Sequence, residues 1–112
     1  MHVILDSTDN SVTLSPKMCQ ELQIEKNTSF IFIFKIKGEK RFGLKRVSTE
    51  FAKTTQCGIV SLNPKLKTFG FITNCPTVSL IFYEMGITGK TARLKVKKEM
   101  LPGGDYIYGL WK

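Results

Sequence analysis

The sequence passes twice through one order of predicted secondary structure, and this repeat limits the available folds more than any other feature. Residues 1–47 predict two strands, a short helix and two further strands, and residues 57–112 predict the same order after a polar linker at residues 48–56. Each unit ends on a related segment, Phe42-Gly43-Leu44-Lys45 in the first and Tyr108-Gly109-Leu110-Trp111 in the second. A duplicated unit predicts an internal two-fold axis within one domain.

The two units also align in their first strands and just after their helices. The aligned pairs, first unit before second, are Val3 with Val60, Leu5 with Leu62, Val12 with Phe69, Leu14 with Phe71, and Ile24 with Ile87.

Strand patterns dominate both units. Residues 12–14 and 91–99 alternate apolar and polar side chains, as half-buried strands do. Residues 30–34 are apolar on both faces and predict a central, fully buried strand; an exposed patch of this kind would instead mark an oligomer contact. The predicted fold class is therefore mainly β with short helices, a pseudo-two-fold β-barrel of two β-β-α-β-β units. Because both units are needed to bury the apolar faces of their strands, we expect neither half to fold alone.

Capping signals place one short helix in each unit. Ser15-Pro16 offers a hydroxyl to the free backbone amides and a proline for the first helical position. In the second unit Asn74 is the predicted cap, Pro76 fits an early helical position, and Gly86 stands where a left-handed residue ends a helix. An apolar stripe lies between them at Val78, Ile81, Phe82 and Met85.

The balance of charges points to a polyanionic partner. Of the 112 residues, 17 are Lys or Arg and 9 are Asp or Glu, which gives a net charge of +8. Such an excess favours nucleic acid through neutralisation of phosphates. No apolar run approaches the roughly 20 residues that a membrane-spanning helix needs, and the first residues lack the features of a signal peptide. We expect a cytoplasmic protein without membrane contact.

The inventory of reactive residues argues against catalysis and against a metal site. His2 is the only histidine, and Cys19, Cys57 and Cys75 are widely spaced with no Cys-x-x-Cys pair. A structural zinc site needs four such ligands held close together. The chain also lacks Gly-x-Ser-x-Gly, a Gly-rich phosphate loop and His-Glu-x-x-His, although a site built on Lys or Asp stays open. We expect a non-enzymatic protein with no cofactor.

The first unit, with Leu14-Ser15-Pro16, a short helix closing on Leu22-Gln23-Ile24 and then a hairpin, resembles the AbrB/MazE swapped-hairpin family. Two such units in one chain resemble the tandem arrangement of the MraZ proteins. The resemblance covers residues 2–47 directly and residues 57–112 through the repeat. It implies a cradle-like β-barrel of two interlocked units and a DNA-binding function, as in transcriptional regulators and antitoxins.

The chain departs from that family at two places that matter for DNA. DNA-binding members carry arginines before the second strand and in the helix, where this sequence has Asn10 and Ser11, and Cys19, Gln20 and Glu21. The resemblance therefore extends further for the fold than for the DNA-binding surface.

Basic residues recur at positions suited to phosphate contacts. Lys65 and Lys67 lie in the first loop of the second unit, and Arg93, Lys95 and Lys97 share one face of a predicted strand. With Lys17 of the first helix, they form the predicted contact set for double-stranded DNA. A corresponding cluster occupies the hairpin of the first unit, at Lys35, Lys37, Lys40, Arg41, Lys45 and Arg46.

The basic and aromatic patterns also fit roles apart from DNA binding. Lysines on edge strands can serve to prevent aggregation, and the barrel can be the scaffold of a protein–protein interaction or assembly module, with or without self-association into an oligomer. Tyr106, Tyr108 and Trp111 alternate near the end of the sequence, where they can stack unpaired bases or pack on an edge strand.

Overall fold

The computed structural model describes residues 1–23, 29–48, 50–51, 58–62, 70–72 and 75–112, without the side chains of residues 29–30, 58–62 and 70–71. The elements in these ranges are β1 His2–Asp6, β2 Ser11–Leu14, α1 Pro16–Glu21, β3 Ser29–Lys35, β4 Phe42–Val47, β5 Gly58–Leu62, β6 Gly70–Ile72, α2 Thr77–Glu84, β7 Thr91–Met100 and β8 Tyr106–Trp111.

The strands pair antiparallel and close into a barrel. Their order around it is β1-β2-β6-β5-β3-β4-β8-β7, and β7 returns to pair with β1. The prediction of a mainly β, barrel-like fold with short helices is confirmed.

Each hairpin of the first half is bordered on both sides by strands of the second half. The β1-β2 hairpin lies between β7 and β6, and the β3-β4 hairpin lies between β5 and β8. Where β2 meets β6, Thr13 pairs with Phe71 and Leu14 with Gly70, and where β4 meets β8, Gly43 pairs with Gly109. Neither of these hairpins therefore satisfies its outer backbone groups within its own half of the chain.

The side chains that point into the barrel form one apolar core together with the buried faces of both helices. Burying a Val, Leu, Ile, Phe or Met side chain contributes roughly 1.5–3 kcal/mol each, so this core supplies the main favourable term in folding. Its fully buried members include Val3 and Leu5 of β1, Val12 and Leu14 of β2, Ile31 of β3, Phe42 and Leu44 of β4, Leu110 of β8, Met18 of α1 and Ile81 of α2.

The helix signals are reproduced in the first unit and partly in the second. The Ser15 hydroxyl accepts a hydrogen bond from the Met18 amide at 3.3 Å, which caps α1 as predicted. α2 begins at Thr77, with Pro76 just before the helix instead of inside it and with no side-chain cap; the predicted cap, Asn74, lies outside the described residues. Gly86 has φ +65° and ends α2 in the left-handed conformation, as predicted.

β3 is paired on both sides, as predicted for a central strand, but its apolar run is not buried on both faces, which corrects the prediction of full burial. Ile31 points inward and is fully buried, whereas Phe32 and Phe34 lie half-buried on the outside of the barrel with their ring centroids 5.4 Å apart. A single closed barrel has one core on its inside, so outward side chains need separate cover. Phe51 supplies part of it by packing edge-to-face on Phe32 at 5.3 Å.

A fragment of residues 1–55 should not fold, because both of its hairpins would lack the strands that complete their hydrogen bonding. Circular dichroism and amide dispersion of this fragment, measured beside the full chain, should show an unfolded or aggregating species. A cooperative melt of a monomeric fragment would contradict the interlocked topology.

Candidate nucleic-acid interface

Three of the predicted contact residues lie together on the outside of β7. Arg93, Lys95 and Lys97 are exposed, while Leu94 and Val96 between them are 2% and 5% exposed and point into the core. Alternate residues on a strand lie about 6.8 Å apart on the same face. The strand therefore presents its three cations in a straight row.

The neighbouring strands extend this row sideways. His2 of β1 and Trp111 of β8 pair directly with Lys95 on its two sides, so all three side chains share the outer face. Trp111 is 36% exposed. We call the surface formed by Arg93, Lys95, Lys97, His2 and Trp111 the β7 basic face.

The charges of this face are largely uncompensated. In the part of the chain that the structure describes, no carboxylate lies within ion-pair distance of Arg93, Lys95 or Lys97. Nη2 of Arg93 lies 3.3 Å from Nδ1 of His2. Burial, the Arg93 charge and the N-terminal ammonium lower the pKa of His2 from its ordinary 6.5, so the ring is neutral at pH 7 and can accept from Arg93.

Lys17 is joined to the same end of the barrel through the start of α1. The Ser15 amide donates to the His2 carbonyl at 3.2 Å, and the His2 amide donates to the Ser15 hydroxyl at 3.4 Å. Lys17 is exposed two residues further on, and His2 is the direct neighbour of Lys95. The two other predicted contact residues, Lys65 and Lys67, lie outside the described residues.

The basic hairpin of the first unit differs from β7 because much of its charge is engaged. Lys35 forms an ion pair with Glu84 at 3.4 Å, and Nη1 of Arg46 donates to the carbonyls of Leu22 and Gln23 at 3.4 and 2.6 Å. The exposed lysines without an ion pair among the described residues of this hairpin are Lys37, Lys40 and Lys45. The two hairpins look equivalent in the sequence but not in the structure.

Arg41 is the most strongly engaged cation, and it was not recognisable from the sequence as anything but a surface charge. Its Nη1 and Nη2 donate to the two carboxylate oxygens of Glu99, each at 3.0 Å, and Nη2 also donates to Glu39. Its guanidinium carbon lies 3.6 Å from the ring centroid of Trp111, whose Nε1 donates to Glu99 at 3.1 Å. This cluster joins the β3-β4 hairpin to β7 and β8 and fixes Trp111 at the edge of the β7 basic face.

Gly109 provides the space for the cluster. A Cβ atom added at this position would overlap the Glu99 carboxylate and would lie 3.0 Å from Nη1 of Arg41. The ion pair therefore lies directly against bare backbone of β8. Arg41 and Glu99 are far apart in the chain, and the glycine is the only feature of the sequence that relates to their contact. The contact cannot be inferred from the glycine until the pairing of the strands is known.

The described residues form neither a candidate metal centre nor a membrane-spanning helix. No group of three or more His, Cys, Asp or Glu side chains among them is placed to hold a metal ion. None of the described helices has the length and apolar character to cross a bilayer.

Comparison of the chain with protein-family models, with curated proteins and with solved structures finds no match. The function is therefore inferred from the residues of the site and from the fold.

Glu99 should give the protein an acid-dependent component of stability. Hydrogen bonds from Arg41 are the largest cause of a lowered pKa of Glu99, below its ordinary 4.5. Burial opposes them, and the Arg41 charge, the Trp111 hydrogen bond and the Lys97 charge add to the lowering. A carboxyl with a lowered folded-state pKa stabilises the fold above its unfolded pKa, and this stability is lost as pH falls through the folded value.

We expect Glu99→Gln to lower the free energy of unfolding by about 1–2 kcal/mol at neutral pH. The difference from the parent protein should shrink between about pH 5 and pH 2, because protonated Glu99 resembles Gln. Urea unfolding across this range measures it, with the exposed Glu50→Gln as the matched control. A constant difference at every pH would contradict the ion pair.

Gly109→Ala should destabilise the protein by about 1–3 kcal/mol, because the methyl group displaces the Glu99 carboxylate from Arg41. In a Glu99→Ala background the same change should be much less harmful. Urea unfolding of the four proteins gives the coupling free energy. Equal losses in both backgrounds would show that Gly109 does not serve the ion pair.

Proposed function

We propose that the protein binds double-stranded DNA without catalysis, through the β7 basic face, in a regulatory or antitoxin-like role. The observation that carries the proposal is the row of Arg93, Lys95 and Lys97, all exposed and unpaired with any described carboxylate. Lys17 extends the row beyond His2, and Lys65 and Lys67 remain predicted contacts on sequence grounds. Phosphate contacts made by such residues provide affinity and orientation but carry no sequence information.

The dimensions and charge of the face suit a duplex. Three alternate residues span about 14 Å along the strand, which matches roughly four base pairs at 3.4 Å each. The three phosphate contacts of β7 should contribute about −2.7 to the slope in a plot of log affinity against log salt. Because phosphate contacts carry no sequence information, we expect weak dependence on DNA sequence.

We also propose that the barrel is a pseudo-two-fold, AbrB-like swapped-hairpin fold built by duplication. The strand order is unchanged when each strand of the first half is exchanged with its counterpart in the second. In the alignment of the two units, Thr13 corresponds to Gly70 and Leu14 to Phe71. The exchange therefore converts the pair of Thr13 with Phe71 into the pair of Gly70 with Leu14, and both pairs are present. Gly43 pairs with Gly109, and these two glycines are equivalent positions of the two units.

The helix ends of the two halves add a chemical likeness to the topological one. Gln23 and Gly86, each following a helix, have φ +52° and +65°. The carbonyl of Gln23 accepts from Arg46 at 2.6 Å, and that of Gly86 accepts from Lys112 at 3.3 Å. Both cations come just after the aligned segments that end the units. A basic residue thus caps the left-handed residue behind each helix, which supports a common origin for the halves.

A protein–protein interaction or assembly module is the second candidate function. Leu80 and Tyr83 of α2 are 46% and 83% exposed, and a spacing of three places them on one face of the helix. An exposed apolar pair is a typical part of a contact surface. This function predicts DNA binding that disappears at physiological salt.

The double variant Lys95→Ala/Lys97→Ala should weaken binding to every duplex by a similar factor and reduce the magnitude of the salt slope by about 1.8. The double variant Lys37→Ala/Lys40→Ala removes the same charge from exposed lysines of another hairpin and is the matched control. Fluorescence anisotropy with labelled duplex DNA, single-stranded DNA and RNA, at low and physiological salt, measures both. The emission of Trp111, the single tryptophan, reports contact at the face directly.

Equal losses in the two double variants would mean that net charge alone drives binding and would contradict a specific face. Loss of binding to all three nucleic acids at physiological salt would favour the assembly module.

A further inference from the structure

A cleft of about 420 Å³ lies between the C-terminal end of α1 and the adjacent parts of β4 and β8. Its size is within the range of about 300–1,000 Å³ typical of small-molecule sites. It shares no residue with the β7 basic face. The lining residues that carry its chemistry are Glu21, Lys45, Arg46, Asp105, Tyr106 and Tyr108.

The two cations of the cleft are placed to bind a phosphate. The carbonyls of Leu22 and Gln23 hold the Arg46 guanidinium through its Nη1. Its Nη2 and Nε have no hydrogen-bond partner among the described residues. Lys45, the preceding residue of β4, also lines the cleft, is exposed and has no described ion-pair partner. A guanidinium that is held in place and keeps free donors is well suited to phosphate recognition, and a lysine lining the same cleft adds positive charge.

The aromatic residues offer a surface for a planar ring. Tyr106 is 48% exposed and packs edge-to-face on Tyr108, with ring centroids 6.1 Å apart. Nζ of Lys98 lies 3.9 Å from the Tyr106 centroid, which holds the ring in place. An exposed aromatic face of this kind can stack on a nucleobase.

Two carboxylates complete the cleft. Oε2 of Glu21 accepts from the Tyr108 hydroxyl at 3.4 Å, which leaves Oε1 without a described partner. The Asp105 carboxylate is exposed and has no described partner either. Ionised carboxylates only accept hydrogen bonds. They favour a ligand edge that carries adjacent N–H donors.

We propose that this cleft binds a guanine nucleotide. The phosphate contacts Lys45 and Arg46, the base lies against Tyr106, and the N1–H and N2–H₂ donors of guanine face the carboxylates. Adenine places an acceptor beside its amino group on the corresponding edge, so it meets a carboxylate less favourably. The nucleotide is either free or one unit of a single strand, since both present the same phosphate and base.

Titration calorimetry and amide chemical shifts of the full chain test the proposal with GMP, AMP, inorganic phosphate and a short thymine oligonucleotide containing one guanine. We expect GMP to bind about tenfold more tightly than AMP, and phosphate not to bind measurably. Tyr106→Ala and Lys45→Ala should each weaken GMP about tenfold. The double variant Glu21→Gln/Asp105→Asn should abolish the preference for GMP over AMP. Lys37→Ala, an exposed lysine elsewhere, is the control.

Tighter binding of the oligonucleotide than of GMP would identify a single strand as the source of the nucleotide, and tighter binding of GMP would identify the free nucleotide. Equal affinities for GMP and AMP, equal affinities for GMP and phosphate, or shifts outside the cleft would overturn the proposal. Thermal melts of each variant separate loss of the site from loss of the fold. The double variant at Lys95 and Lys97 tests duplex binding alone, because neither lysine lines the cleft.

Discussion

Backbone hydrogen bonding between the two halves of the chain is the constraint on which the rest of the structure depends. A free strand edge leaves a row of unpaired amides and carbonyls, and a closed barrel removes every such edge. Here closure is reached only because β7 and β6 border the first hairpin while β5 and β8 border the second. The core inside the barrel exists only after these contacts have formed, so burial of the apolar side chains and pairing of the strands occur together.

Closure also determines what the outside of the barrel can do. Inward positions of β7 are occupied by Leu94 and Val96, so the alternate positions are free to carry charge without affecting the core. The β3-β4 hairpin uses several of its cations internally, at Lys35, Arg41 and Arg46. The outside therefore carries a strip of unpaired cations on β7 and a mixed cleft near α1. These two surfaces differ in chemistry, and we propose a different ligand for each.

Local signals in the sequence were sufficient for the order of elements and for most of their inward faces. The hydroxyl of Ser15 followed by proline predicted the start of α1, and the alternation in residues 91–99 predicted which side of β7 is exposed. Relations between distant strands were not accessible. The outward position of Phe32 depends on which surface the barrel encloses, and the contact of Arg41 with Glu99 depends on the pairing of β4 with β8. Neither is determined by the neighbouring residues.

The pairing of Gly43 with Gly109 has a consequence for how the two halves could diverge after the proposed duplication. At one glycine the missing side chain makes room for Phe34 and Ile107, and at the other it makes room for Glu99 and Arg41. One ancestral position has thus come to accommodate an apolar contact in one copy and an ion pair in the other. In a dimer of identical chains, equivalent positions must have the same neighbouring side chains. In a fused pair of units, the neighbours of each position can change independently. Once these neighbours differ, the two halves are no longer interchangeable.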